Sequence, residues 1–183
     1  MTPVADLVIL GIWIAFWIYW LAASAGAKAT RARGPLAGFR IGFVLLALLL
    51  LRAALPKRDA GVVNDHVAQG IGLALFLMGI GLAVWARVYL GRNWGTPMSQ
   101  RAEPELVTTG PYRSIRHPIY SGIILALIGT TVAVSLYWLA AVVISGAYFV
   151  ASAFVEERNM TADFPDAYPA YKKHTKMLVP FVF

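Results

Sequence analysis

Between Pro118 and Val155 the chain runs for 38 residues without one charged side chain. As a single helix this run would extend about 57 Å, nearly twice the roughly 30 Å hydrocarbon thickness of a bilayer. It has to fold back on itself, and the uncharged stretch Thr130 to Tyr137 is the place for a tight turn. An antiparallel pair of short helices then brings the residues before Pro118 and those after Val155 to the same membrane face. Both flanks are polar: "GPYRSIRH" (Gly110 to His117) precedes the run, and Glu156-Glu157-Arg158 follows it.

Other apolar stretches supply further crossings. Leu7 to Ala27 carries no charge, and its Trp13, Trp17, Tyr19 and Trp20 suit a helix reaching the interface, where they read as an aromatic belt. A signal peptide would have a basic start and a shorter apolar part, so this segment is expected to stay as an anchor. The second span, about Gly38 to Leu55, has arginines near both ends that can snorkel. The third is Val67 to Tyr89, after Asn64-Asp65, which can cap a helix start. With 59% hydrophobic and 14% charged residues, against roughly 25% charged in soluble domains, the chain reads as one all-α membrane domain of about five transmembrane helices. Residues 1–66 would hold two N-terminal helices, and 67–183 a core with a tight hairpin of the last two helices and a C-terminal tail.

Small residues recur on three of these segments: Ala68, Gly72, Gly79 and Ala83; Gly122, Ala126 and Gly129; Ala141, Ser145 and Ala151. In lipid such spacing lets helix backbones approach closely, and bundle packing is the reading given to them. Gly70-Ile-Gly72 and Gly79-Ile-Gly81 lie inside an apolar helix with no preceding strand and are not dinucleotide loops. The last seven residues, Met177 to Phe183, are too short to span and would lie on the interface or against the bundle.

Five crossings place thirteen basic residues on the face that carries the 91–117 loop and the tail, against Arg52, Lys57 and Arg58 on the other. The positive-inside rule makes the first face cytoplasmic. The net charge of +7 is therefore a topology signal and not a nucleic-acid surface. There is no cysteine, and His66, His117 and His174 lie far apart, so neither a disulfide framework nor a zinc site is expected. His66 reads as a solvated loop residue and His174 as a headgroup contact.

The two polar clusters admit two readings. One is an interfacial salt-bridge knot tying loop to helix, since two acids at membrane depth need cationic or hydroxyl partners. The other is a pocket, with cations and backbone N–H groups for a carboxylate, acids for hydroxyls and an amine, and rings for a base.

The motifs carry a resemblance. Leu106-Val107-Thr108-x-Gly110-x-Tyr112, then Arg116-His117-Pro118-x-Tyr120-x-Gly122, and later Glu156-Glu157-Arg158-x-Met160, Phe164, Tyr168 and Tyr171-Lys172-Lys173, resemble the isoprenylcysteine carboxyl methyltransferases and their bacterial relatives. "YLGRNW" (Tyr89 to Trp94) is similar to the bacterial branch, as is the short chain. After Lys173 the tail reads His174-Thr175-Lys176, not the Arg-Val-Pro run of the eukaryotic enzymes. The resemblance covers roughly 85–183 and implies S-adenosylmethionine bound at the cytoplasmic face of a bacterial inner membrane. Carried over by motif, His117, Pro118, Tyr120, Glu156 and Glu157 become cofactor-binding positions, with Gly110 and Tyr112 shaping the loop. Arg116 is placed with the cofactor group, and Arg87, Arg92 and Arg158 are candidates for a catalytic clamp on an acceptor carboxylate.

The acceptor implied is a prenylated or lipid-like carboxylate entering from the membrane. Phospholipid N-methyltransferases share the double glutamate, and some sterol reductases share the helical scaffold but use NADPH. A non-catalytic membrane component keeping the motif is the remaining class.

Overall fold

The computed structural model describes residues 3–24, 30–32 and 62–179. The expected second span, 38–55, lies outside the described residues. Among the described residues four helices form the body: α1 (Pro3–Ser24), α2 (His66–Leu90), α3 (Pro118–Ala133) and α4 (Trp138–Asp163), followed by a short α5 (Ala167–His174). Two short strands, β1 (Thr30–Ala32) and β2 (Gln100–Arg101), pair antiparallel in the loops. Segments of α1, α2 and α4 are long and apolar enough to cross a membrane, and α3 is a shorter apolar helix of 16 residues. The chain is thus an all-α integral membrane protein whose loops carry a small β-ladder.

Each helix end has a local cause. Asp65 caps α2, accepting the Val67 N–H at 2.8 Å, and His66 is an exposed first helical residue, not a loop residue. Gly91 ends α2 with φ 53, a left-handed conformation that glycine adopts without penalty, and its N–H donates to the Arg87 carbonyl. α3 opens with Pro118, which has no N–H to leave unpaired in the first turn. The expected turn falls where predicted, as α3 ends at Ala133 and α4 begins at Trp138. Within the turn the Trp138 N–H donates to the Ser135 carbonyl at 3.1 Å.

The tightest packing is α2 on α3, and glycine makes it possible. A Cβ at Gly79 would fall within 3 Å of the Ala126 and Gly122 backbone, and one at Gly129 would meet the Phe76 and Gly72 backbone as closely. The two helices therefore touch main chain to main chain, the arrangement that dispersion favours where lipid offers no hydrophobic drive.

α1 lies against this pair through Ile9, Phe16 and Trp20, which are buried, while Leu10, Ile14, Trp17 and Leu21 face outward. The belt expected of α1 holds only for Trp17 and Tyr19. Trp13 donates its indole N–H to Thr130 Oγ1 at 3.2 Å, and Trp20 packs edge-on against Trp94 at 5.8 Å. Both rings serve α1 as anchors to the bundle because each finds a partner on its inner face.

Candidate functional site

The hairpin delivers the N-terminus of α3 and the last turns of α4 to one place. Glu156 and Glu157 are followed by helix as far as Asp163, so they do not sit on the terminal carbonyls and the adverse dipole effect is small. Glu157 is buried, and its Oε1 accepts from Arg116 Nε at 2.6 Å. Lys172 Nζ on α5 stands 2.5 Å from its other oxygen. Glu156 Oε1 accepts the Tyr120 hydroxyl at 2.5 Å and the Met98 N–H at 2.8 Å. His117 lies between the acids, with Nδ1 3.4 Å from Glu156 Oε2 and Nε2 3.6 Å from Glu157 Oε1.

Nε2 of His117 is buried and makes no hydrogen bond. The imidazole stacks parallel to the Tyr120 ring at 5.4 Å, and Tyr120 stacks on Phe149 of α4 at 4.5 Å.

The tail straps this cluster from outside. Residues 114–117 pair with 175–178: the Lys176 N–H donates to the Ser114 carbonyl, the Arg116 N–H to the Lys176 carbonyl, and the His117 N–H to the Met177 carbonyl. Arg116 Nη1 adds a bond to the Thr175 carbonyl at 2.6 Å, and Ser121 Oγ one to the Leu178 carbonyl at 2.5 Å. Met177 and Leu178 are buried, which places this part of the tail against the bundle. The Tyr171 hydroxyl donates to the Tyr112 carbonyl at 2.5 Å.

Burial disfavours the charged form of His117, but the two carboxylates that flank it outweigh this and hold its pKa above 6.5. Burial pushes the Tyr171 phenol up to about 12 and raises Tyr112 further, so both are neutral at physiological pH.

Of the residues singled out by sequence, Arg116, His117, Tyr120, Glu156 and Glu157 converge here. Pro118 starts the helix that aims His117 and Tyr120, and Tyr112 is buried beneath the tail. Gly110 has φ 58 and lies so close to the Tyr89 ring that a Cβ could not be placed, which explains glycine at that point of the loop. The arginines part company. Arg87 is buried and gives its guanidinium to the carbonyls of Gly91 (2.7 Å) and Ala23 (2.6 Å) and to the face of Trp94 (4.8 Å). Those contacts tie the end of α1 to α2 and the following loop, and no described contact takes Arg87 to the glutamates. Arg92 is exposed on the 3-10 turn Gly91–Asn93.

Arg158 is exposed too, and with Phe154, Val155 and Asn159 it lines a groove of about 470 Å³ on the side of α4 turned away from Glu156 and Glu157. Lys172, Phe149 and the Met98 amide were not anticipated as site members. Lys172 had a signal in the Tyr-Lys-Lys motif, whereas a main-chain amide has none, since every residue but proline carries one.

The residues present fit S-adenosylmethionine. Two carboxylates can take hydroxyl and ammonium groups, buried His117 Nε2 has hydrogen-bonding capacity left over, and stacked rings flank them. Among the described residues no cluster of His and acids could hold a metal ion.

Known proteins resemble the chain in sequence or in fold. A methanethiol S-methyltransferase from Pseudomonas sp. strain GM41 is 26% identical over 146 residues, and the match spans 75% of this chain and 56% of that enzyme's length. A solved structure of a eukaryotic intramembrane Ras methyltransferase, isoprenylcysteine carboxyl methyltransferase, superposes with a TM-score of 0.62 over 78% of this chain and 53% of that one. At 24% identity this is a likeness of fold. The family model of the phospholipid methyltransferases matches residues 67–167, more than half the chain and both halves of the glutamate cluster. The chain belongs to the phospholipid methyltransferase family.

Proposed function

We propose that this chain is an integral membrane methyltransferase that uses S-adenosylmethionine and methylates an acceptor already ionised when it binds, foremost a carboxylate on a lipid-like molecule. The observation that carries the choice is the state of the two glutamates. Glu156 faces Tyr120, the Met98 amide and His117, and Glu157 faces Arg116, Lys172 and His117. Glu157 is committed to Arg116 and Lys172, and Glu156 Oε1 already accepts two hydrogen bonds, which suits the pair to holding loop, tail and cofactor and not to taking a proton from an amine. A carboxylic acid, with a reference pKa of about 3.5, needs no base at neutral pH.

The cofactor-binding set is His117, Pro118, Tyr120, Glu156 and Glu157, with Arg116 fixing Glu157 and the tail. When bound, S-adenosylmethionine supplies an electrophilic methyl group on a sulfonium centre. The chain's part is to align the nucleophile with that methyl and exclude water, and the buried layer of Tyr120, Phe149, Met177 and Leu178 supports this. By the distribution of basic residues the site faces the cytoplasm.

A thiol acceptor is the second reading, favoured by the name of the Pseudomonas relative; a thiol of pKa about 8.5 is partly ionised without a base. Purified protein given radiolabelled S-adenosylmethionine and membrane lipid extract tests the choice. A lipid-soluble product whose label is released as methanol by mild alkali is expected. Alkali-stable lipid label would overturn the carboxylate assignment in favour of an amine. Volatile, alkali-stable label from an added thiol would establish the second reading. Failure to bind S-adenosylhomocysteine in calorimetry would overturn the methyltransferase itself.

A further inference from the structure

Met98 is buried and has φ 63, and it is the only residue other than glycine with positive φ among the described residues. It lies third in Thr96-Pro97-Met98-Ser99, a turn closed by the Ser99 N–H donating to the Thr96 carbonyl at 3.0 Å. Proline second and a left-handed third residue are the pattern of a type II turn, whose third position normally calls for glycine. Type I and type II turns differ by a flip of the central peptide, which reverses the direction of the third residue's N–H. The left-handed conformation at Met98 therefore sets where that N–H points, and it points at Glu156 Oε1, 2.8 Å away.

That oxygen also accepts the Tyr120 hydroxyl, whereas Oε2 has its contact with His117 Nδ1 at 3.4 Å, longer than a normal hydrogen bond. The loop bearing the turn is itself anchored. Trp94 is buried between Trp20 of α1 and the guanidinium of Arg87.

We propose that Met98 is a positioning residue. Its backbone N–H, aimed by a left-handed turn, works with the Tyr120 hydroxyl to immobilise Glu156 through Oε1 and leaves Oε2 as the oxygen that accepts a hydroxyl or ammonium group of the cofactor. This rests on the cofactor reading given above. Conformational strain at a bulky residue persists where the surroundings over-determine it, and here the wall of the site is what it maintains.

Two substitutions separate this role from ordinary packing. Met98→Gly removes the whole buried side chain but favours the left-handed turn, and Met98→Val keeps most of the bulk but resists positive φ. We expect Met98→Gly to bind S-adenosylhomocysteine within about threefold of the parent, and Met98→Val to bind at least about tenfold more weakly. The melting temperature should fall further for Met98→Gly than for Met98→Val. If packing is all that matters, affinity will follow stability and Met98→Gly will be the weaker binder, which overturns the proposal.

Amide hydrogen exchange of the parent protein gives a readout that needs no cofactor. The Met98 amide should be protected, and Glu156→Ala should speed its exchange at least about tenfold. Unchanged exchange overturns the proposal. Parent protein that binds no S-adenosylhomocysteine yet shows this loss of protection would sink the cofactor reading and leave the Met98–Glu156 contact standing.

Discussion

Glu157→Gln tests whether the acid cluster holds both the tail and the ligand. The Arg116–Glu157 pair joins side chains only 7% and 3% exposed, so it is a buried, charge-assisted bond of about 1.5–3 kcal/mol. Lys172 is 48% exposed, and its contact with Glu157 is worth no more than about 0–1 kcal/mol despite its length. His117 Nε2, at 3.6 Å, is beyond hydrogen-bond length and contributes little directly. Glutamine keeps the shape and a neutral acceptor but leaves Arg116 without a counter-charge and His117 with Glu156 alone. The expected loss is therefore about 2–4 kcal/mol of unfolding free energy. Because Arg116 also holds the Thr175 carbonyl, the tail should become protease-sensitive in the same variant.

Chemical unfolding in detergent gives the stability, and calorimetry with S-adenosylhomocysteine gives the affinity, expected to fall roughly ten- to a hundredfold. Lys172→Ala is the control, costing under about 1 kcal/mol. Equal costs for the two variants, or no change on Glu157→Gln, would refute the assignment of Arg116 as the principal partner.

Three further outcomes are expected. His117 is stabilised in its protonated form, so its contribution is complete below about pH 6.5 and is lost as pH rises through its elevated pKa; Arg116 and Lys172 oppose that protonation but do not cancel it. Melting temperature should thus decline above pH 6.5 in the parent and much less in His117→Gln; a parent curve that rises over that interval would contradict this. Gly79→Ala should destabilise the bundle by about 1–3 kcal/mol or more through backbone overlap with α3, whereas Gly81→Ala, with open space around it, should be neutral or stabilising, and equal effects would show that the helices do not meet at Gly79. Reporter fusions at Phe183 and near Asp59 should be active in the cytoplasm and on the outside respectively, and the reverse would invert the topology.

The helical outline was legible because lipid imposes length. The 38-residue uncharged run could not be one helix, and its fold-back at Thr130 to Tyr137 is the turn observed between Ala133 and Trp138. The convergence of His117 and Tyr120 with Glu156 and Glu157 followed from that hairpin, since antiparallel helices return the chain to its starting face. The glycines of α2 and α3 were legible as packing residues by the same reasoning. Less legible were the arginines, because an arginine near a membrane surface looks alike in a linear sequence whether it faces solvent, a ring or a carbonyl.

What the sequence by itself determined is therefore the class of molecule and the hairpin that gathers its site, because an uncharged run too long for one membrane helix has to turn back. Tertiary structure alone decided the assignment of partners. It closed Arg87 onto Trp94 and the end of α1, chose Arg116 and Lys172 for Glu157, and turned the Met98 amide toward Glu156. Those choices depend on direction over a few ångströms, and a backbone N–H or carbonyl has no letter in the sequence to announce where it points.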